Sequence, residues 1–176
     1  MVTASQLPRP GVNASVDAFR RILRALRLAA RQTQATAGIS AAQLHVLQAL
    51  GDGEDLSLSQ IAVRTMTDRT SVSAVVERLV EGGFVTREPS RLDRRRASIR
   101  INTRGRSVLR RAPKSPAALL VAGMEDLDSR TLASLASSLA ALTDAMGLSD
   151  HRAGMLFDDG EDAAPRVTPR RRVVRP

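Results

Sequence analysis

The sequence predicts a mainly α-helical fold with one small β-hairpin, and two observations carry this prediction. Apolar residues recur at three- and four-residue steps through most of residues 13–146. The exception is 84–105, where two short strand-like runs flank a polar, turn-rich loop from Ser90 to Arg96. In the second run Ile99 and Ile101 alternate with polar residues, which is the period of a half-buried strand. We therefore expect a helical domain that carries a hairpin with a cationic tip.

The first two helices are predicted from their apolar stripes and end signals. A long amphipathic helix with an arginine-rich outer face is expected from about residue 13 to Gly38. Ser40 and Gln43 then form a Ser-x-x-Gln capping-box pattern, which opens a second helix that stops at Gly51. Residues 1–12 show no apolar period and contain prolines, so we expect a disordered N-terminus there.

The next two helices are expected to form a helix-turn-helix. The Ser-x-x-Gln pattern recurs at Ser57 and opens a short third helix. After a turn at Met66, either Thr67 or Asp68 can cap a fourth helix that ends at Gly82. The valines of this segment are typical of a strand, but the apolar residues fall at helical spacing. They are Val72, Val75, Val76, Leu79 and Val80. Two short helices joined by a tight turn give the helix-turn-helix arrangement.

A coiled-coil seam is predicted after the hairpin. Asn102 is expected to cap a helix that is interrupted at Pro113, and Ser115 restarts it after either a kink or a short break. Asp128 and Ser129 open a last helix whose leucines repeat at alternating three- and four-residue steps. These are Leu132, Leu135, Leu139 and Leu142. The seam is expected either to form a dimer interface or to pack on the first helix, and both hold in an intertwined dimer.

The C-terminal residues 149–176 are expected to form a disordered charged tail. An acidic patch is followed by a basic end, and no apolar period continues into this segment. One apolar triplet, 155–157, interrupts the polar sequence. Docking of this triplet on the protein's own surface or on a partner stays open as the alternative.

The charge of the chain is concentrated around the hairpin. Between Arg78 and Arg111 there are eleven arginines and three acids, which accounts for +8 of the net +9. An isoelectric point near 11.6 favours a polyanionic partner. The longest apolar run, Ala117 to Met124, is too short to span a bilayer, so nucleic acid is favoured over a membrane. Without a basic head followed by an apolar stretch at the N-terminus, we expect a cytoplasmic protein.

Composition also excludes several kinds of site. With no cysteine and two histidines, no zinc site is expected, and thiol chemistry is not available. The absence of Trp and Tyr argues against base stacking on an aromatic platform, so duplex DNA fits better than single strands. We find no glycine-rich phosphate loop and no nucleophile with a paired base. The sequence therefore predicts no cofactor, no catalytic residue and no enzyme.

The candidate DNA contacts come from the fourth helix and the hairpin tip. A helix enters the major groove with its N-terminal side chains nearest the bases. This places four residues there, namely Arg69, Thr70, Ser71 and Ser73. The alternative for the two serines is a solvated helix face. Guanidinium groups on the tip suit the negative minor groove, and the candidates are Arg94, Arg95 and Arg96. Asp93 would repel DNA by itself, so we expect it to orient an arginine.

Several segments together resemble the MarR family of winged helix-turn-helix transcriptional regulators. They are Leu-Ser-Gln-Ile-Ala from 58, Asp-Arg-Thr-Ser-Val-Ser from 68, Asp-Arg-Arg-Arg from 93 and Asn-Thr-Arg-Gly from 102. In that family the hairpin, or wing, carries Asp-x-Arg and a strand ending in Leu-Thr-x-x-Gly. The matching positions are Asp93, Arg95, Ile101, Asn102 and Gly105. The resemblance covers 13–148, with a DNA-binding core at about 40–103.

The resemblance implies a function and partners. It implies that Arg95 reaches the minor groove, that Asp93 supports the wing, and that the first and last helices form a homodimer. The dimer would bind a pseudo-palindromic operator, as a repressor that a small ligand releases. Phe19 and His45 are the candidate residues of the ligand pocket, although a lone histidine on an amphipathic helix is more often structural. The alternative function is a helical interaction module that binds an acidic protein partner.

Overall fold

The computed structural model describes residues 10–51, 53–89, 97–151 and 153–158. These residues form seven helices and one two-stranded antiparallel sheet. The helices are α1 (Val12–Ala37), α2 (Ala41–Leu50), α3 (Leu58–Arg64), α4 (Arg69–Glu81), α5 (Thr103–Arg111), α6 (Pro116–Glu125) and α7 (Ser129–Ala145). The strands are β1 (Val85–Pro89) and β2 (Ala97–Ile101). The predicted fold class, helical with a small hairpin wing, is confirmed.

The helix starts follow the capping signals in the sequence. The backbone N–H of Gln43 donates to Ser40 Oγ (3.2 Å), and Gln43 Oε1 accepts from the backbone N–H of Ser40 (2.9 Å). Ser57 and Gln60 form the same reciprocal pair at the start of α3. These side chains satisfy backbone donors that the first turn of a helix leaves without partners. Both predicted capping boxes are therefore confirmed.

The core lies between the helix-turn-helix and the hairpin. Side chains of α2, α3, α4 and β2 meet in it, and the largest fully buried ones are Leu44, Leu47, Leu50, Ile61, Leu79, Ile99 and Ile101. The helical spacing of the valines in α4 is confirmed, because Val72, Val75 and Val76 are all buried. Val80, which the sequence placed on the same apolar face, is exposed instead. It follows the last buried position of α4 directly and so points away from the core.

Both strands of the hairpin contribute to the core, β1 through Val85 and β2 through Ile99 and Ile101. Its register pairs Val85 with Ile101, and a bridge between Leu56 and Ile99 attaches β2 to the loop before α3. Ile99 and Ile101 are buried and Arg100 between them is exposed, so the predicted alternation is confirmed. The loop from Ser90 to Arg96, with all four predicted tip residues, lies outside the described residues.

Asn102 connects the hairpin to α5. Its Oδ1 accepts from the backbone N–H of Gly105 (3.0 Å), which is the predicted cap. Its Nδ2 also donates to the carbonyl of Gly83 (2.9 Å), and its backbone N–H donates to the carbonyl of Phe84 (3.2 Å). One side chain thus ties the end of β2, the start of α5 and the entry of β1 together. The cap fixes the wing as well as the helix.

Of the three helices after the wing, α5 contributes Val108 to the core, whereas α7 contributes no residue to it. Helices α5 and α6 are separate, so the interruption is a short break and not a kink within one helix. In α7 no residue is buried, and the seam residues Leu132 and Leu142 are 38% and 40% exposed. The seam is therefore not covered by α1 of the same chain, which was one of the two predicted arrangements. None of the helices in the described ranges is long and apolar enough to cross a membrane.

The prediction of a disordered tail from residue 149 is wrong for residues 153–158. Met155 is only 7% exposed and belongs to the hydrophobic core. Asp158 forms a salt bridge with Arg78 of α4. Of the apolar triplet, Met155 therefore docks on the protein itself, which the sequence left as the alternative, whereas Leu156 is exposed. The remaining tail, 159–176, lies outside the described residues.

Candidate nucleic-acid interface

The first turn of α4 presents two side chains outward. Asp68 caps this helix, because its Oδ1 accepts from the backbone N–H groups of Thr70 (2.9 Å) and Ser71 (3.1 Å). Arg69 and Thr70 are exposed, and the opposite face of the helix is buried in the core. A helix with one face buried in the core and with exposed hydrogen-bond donors at its N-terminal end has the geometry of a helix that enters a DNA groove.

The two serines predicted to contact DNA are less available. Ser71 Oγ donates to Asp68 Oδ2 (2.6 Å), and Ser73 Oγ donates to Glu77 Oε1 (3.3 Å). DNA phosphates only accept hydrogen bonds, so each hydroxyl would have to leave its carboxylate in order to donate to one. Both serines are half-buried. Arg69 and Thr70 are therefore the stronger candidates on this helix.

Two ion pairs connect the segment before α3 to the wing and to the helix-turn-helix. Arg100 of β2 donates to both carboxylate oxygens of Asp55, from Nε (2.5 Å) and from Nη2 (2.7 Å). This hydrogen bond, together with the charge of Asp55, raises the pKa of Arg100. Arg64 in α3 pairs with Glu54 (2.5 Å) and also donates to the carbonyl of Ala49 (3.0 Å). The wing and the helix-turn-helix are thus both anchored to residues 54–55.

A contact that sequence reasoning missed lies at the base of the wing. The Arg104 guanidinium lies 4.7 Å from the centre of the Phe84 ring, within the range of a cation–π interaction. Arg87 on β1 is exposed. No sequence spacing could have paired residues 84 and 104, because their contact depends on the hairpin that brings β1 beside α5.

The turn of the helix-turn-helix forms an open cleft. Met66 has a left-handed backbone (φ 51°) and a side chain that is 66% exposed. The cleft has a volume of about 630 Å³, and Met66, Arg69 and Thr70 contribute to its lining. Ala153 of the C-terminal segment lines it too. The candidate DNA-contacting end of α4 and the C-terminal segment are therefore neighbours.

The two residues predicted for a ligand pocket have different surroundings. His45 is half-buried, and its Nδ1 lies 3.1 Å from Ser115 Oγ, the N-cap of α6. Burial lowers the pKa of His45, against the opposing effect of a hydrogen bond to the backbone of Thr65. Phe19 is 40% exposed on α1. His45 thus has the structural contacts of a satisfied core histidine, and the pocket stays a prediction.

Metal binding has no support in the described ranges. No group of three or more histidine, cysteine or carboxylate side chains that could hold a metal ion occurs among these residues.

The sequence of the helix-turn-helix and wing matches a known family. The model of the MarR family matches residues 37–96, which include α2, α3, α4 and β1. Residues 37–96 are therefore similar in sequence to the MarR family. A putative transcriptional regulatory protein for the hcr operon of Thauera aromatica is 34% identical over 87 residues. That similarity covers 49% of this chain and 52% of the Thauera protein, so the chain spans about half the length of this relative.

Solved structures share the fold of the helix-turn-helix, the wing and the flanking helices. Sco3205, a MarR-family transcriptional regulator from Streptomyces coelicolor solved in complex with DNA, superposes with a TM-score of 0.54 at 23% identity. The superposition covers 86% of this chain and 97% of Sco3205. Bordetella bronchiseptica BpsR, whose DNA binding is regulated by 6-hydroxynicotinic acid, gives 0.52 at 23% identity and covers 79% and 99%. At these identities the likeness establishes the winged helix-turn-helix fold.

Proposed function

We propose that this protein is a sequence-specific transcriptional regulator that binds double-stranded DNA and is not an enzyme. The observation that carries the proposal is the exposed first turn of α4, with Arg69 and Thr70 outward and its other face buried. In the proposed complex α4 enters the major groove, where arginine can bind guanine through two hydrogen bonds. The tip arginines Arg94, Arg95 and Arg96 enter the adjacent minor groove, and Asp93 orients one of them.

The proposal includes a homodimer built from α1 and α7. A regular seam lies on α7, a helix in which no residue is fully buried, and its members are Leu132, Leu135, Leu139 and Leu142. Apolar side chains of α1 are exposed as well, namely Val12, Val16, Phe19, Ile22 and Leu23. Exposed apolar stripes of this extent mark an interface, and a second copy supplies the matching surface. A two-fold dimer would present two α4 helices to a pseudo-palindromic operator.

The proposal further includes repression that a small ligand relieves. A cleft of about 350 Å³ lies between α1 and the start of α2, within the range of small-molecule sites. Arg27, Arg31, Ser40 and Phe157 contribute to its lining. Phe19 and His45 remain candidate ligand-pocket residues from the sequence. A regulator of this kind would act in the cytoplasm, beside the DNA that it binds.

Titration of wing variants tests the proposed function. Arg95→Ala should weaken operator binding by about 1–3 kcal/mol per subunit, the range of one specific groove contact. Asp93→Ala should weaken binding as well, because the arginine loses its orienting partner. Arg130→Ala, at the exposed first turn of α7, is the matched control for loss of one positive charge.

The sign of the Asp93→Ala effect decides the mechanism. A basic patch without orientation would bind DNA more tightly once a negative charge is removed, whereas an oriented wing would bind more weakly. Binding is measured by fluorescence anisotropy with labelled duplexes at several salt concentrations. Equal affinity for operator and random duplexes would contradict the proposed function and favour an interaction module for an acidic protein.

A further inference from the structure

The C-terminal segment 153–158, called the strap below, packs along the candidate DNA-reading helix. Its central residue, Met155, is buried in the hydrophobic core. At its start, a Cβ atom built on Gly154 would lie 3.8 Å from Ser71 Oγ. At its end, Asp158 pairs with Arg78. The strap therefore has an apolar anchor between a backbone contact and an ion pair.

These contacts give the direction of the strap. Ser71 and Arg78 are seven residues apart on α4, which corresponds to a rise of about 10 Å at 1.5 Å per residue. Gly154 and Asp158 are four residues apart, with a turn at 156–157 in which Phe157 has a left-handed backbone (φ 56°). The strap thus contacts α4 near both of its ends, at Ser71 through Gly154 and at Arg78 through Asp158. It lies next to the end that carries Arg69 and Thr70, whose cleft Ala153 shares.

A strap in this position is incompatible with the docking of α4 in a major groove. The groove of B-DNA is about 12 Å wide, and a helix with its side chains already measures about 10–12 Å across. No room is left for a second chain on the flank of the helix. The ion pair adds to the conflict, because it places a carboxylate beside the DNA surface and engages Arg78, which would otherwise be free to approach a phosphate.

We propose that residues 153–158 are an autoinhibitory strap that competes with DNA for the flank of α4. The inference rests on the proposed function, since it assigns α4 to the DNA groove. The strap must leave the helix before DNA binds, so the observed affinity is reduced by the fraction of molecules in which the strap is docked. A change that weakens the strap should therefore tighten DNA binding.

The first test compares two substitutions that remove the same charge. Asp158→Asn breaks the pair with Arg78, whereas Asp150→Asn removes a carboxylate from an exposed turn of the same C-terminal region. We expect Asp158→Asn to bind the operator at least about threefold more tightly than Asp150→Asn, the scale of one partly exposed ion pair. The released Arg78 should also steepen the salt dependence by about 0.9 log unit, the slope for one phosphate contact.

The second test locks the strap covalently. The chain has no cysteine, so Ser71→Cys with Gly154→Cys creates a single possible intrachain pair. A Cβ atom at 154 meets only an ordinary contact with Ser71, so a cysteine fits there without displacing a neighbour. We expect oxidation to form the disulfide and to lower DNA affinity at least tenfold relative to the same variant after reduction. The single variant Gly154→Cys, treated identically, controls for the effect of the oxidant.

The outcomes separate the strap from the proposed function. If the cysteines form no intrachain disulfide in the free protein, or if the oxidised variant binds the operator as tightly as the reduced one, the strap is refuted. Equal affinity of Asp158→Asn and Asp150→Asn would refute it too. Each of these three results is compatible with operator binding by the wild-type protein, so none of them contradicts the proposed function. Failure of the wild-type protein and of Asp158→Asn to select any duplex would instead overturn the proposed function, and the strap with it.

Discussion

Replacing Gly105 by alanine should destabilise the protein, although the substitution puts a better helix former into α5. A Cβ atom at this position would lie 2.3 Å from the carbonyl oxygen of Phe84 and 2.7 Å from Ile101 Cγ1. That carbonyl cannot move freely, because it accepts the backbone N–H of Asn102 (3.2 Å). The clash therefore forces β1 and α5 apart at the base of the wing.

The magnitude follows from two opposing contributions to the free energy of unfolding. Overpacking costs about 1–3 kcal/mol, and contact with a tethered backbone atom places Gly105→Ala near 3 kcal/mol. The higher helix propensity of alanine offsets about 1 kcal/mol of this cost, so the free energy of unfolding should fall by about 2 kcal/mol. For a chain of this length that corresponds to a fall in Tm of about 4–8 °C.

Gly123→Ala is the matched control, because it makes the same chemical change in α6 where no atom lies within 4 Å. Only the helix propensity applies there, so the Tm should stay the same or rise by a few degrees, about 1 kcal/mol at most. Both Tm values are measured by circular dichroism at one protein concentration, since a dimer's Tm depends on concentration. A Gly105→Ala protein that melts at or above the wild-type temperature would show that the close packing of Phe84, at the start of the hairpin, on α5 is not required.

Two further predictions concern the dimer and the buried histidine. Leu139→Asp should dissociate the proposed dimer, because it places a carboxylate in the apolar seam. Ser137→Asp, on the opposite face of α7, should leave the dimer intact. Sedimentation velocity measures both variants, and a Leu139→Asp protein that stays dimeric would show that the seam is not part of the interface. For His45, the lowered pKa means that, as the pH falls, the unfolded chain binds a proton at this side chain before the folded protein does. The contribution of His45 to the free energy of unfolding should therefore be complete above about pH 6.5, the pKa of histidine in the unfolded chain, and should fall as the pH drops below that pKa. Thermal melts between pH 5 and 8 should show this fall diminished in His45→Gln and are compared with His151→Gln; an unchanged pH profile in His45→Gln would contradict it.

The sequence predicts the parts of this fold that local chemistry determines. The capping pairs Ser40–Gln43 and Ser57–Gln60, and the cap at Asp68, need only neighbours within one helical turn. The spacing in α4 outweighs the strand preference of its valines, because burial on one face of a helix contributes more than intrinsic propensity. These signals are sufficient to place the helix-turn-helix and the two strands.

What the sequence could not predict depends on contacts between distant segments. The pairs Arg100–Asp55 and Arg104–Phe84 exist only because the hairpin brings its base beside the loop before α3 and beside α5. The docking of Met155 is a further case. The polar composition around one apolar triplet is typical of a disordered tail, and no period in the triplet shows that a matching groove exists. One buried residue such as Met155 produces no repeating pattern in the sequence from which its docking could be predicted.

The hydrogen bonds of α4 limit how this helix could contact DNA in the proposed complex. Ser71 and Ser73 both donate to carboxylates within two helical turns, so their hydroxyl groups are already satisfied. Ser71 also lies beside Gly154 of the strap. Before the strap leaves, the exposed first turn therefore offers Arg69 and Thr70 as its uncommitted side chains. One arginine provides at most a short specific contact on each helix, so a regulator built in this way needs the wing and a second subunit to reach useful selectivity.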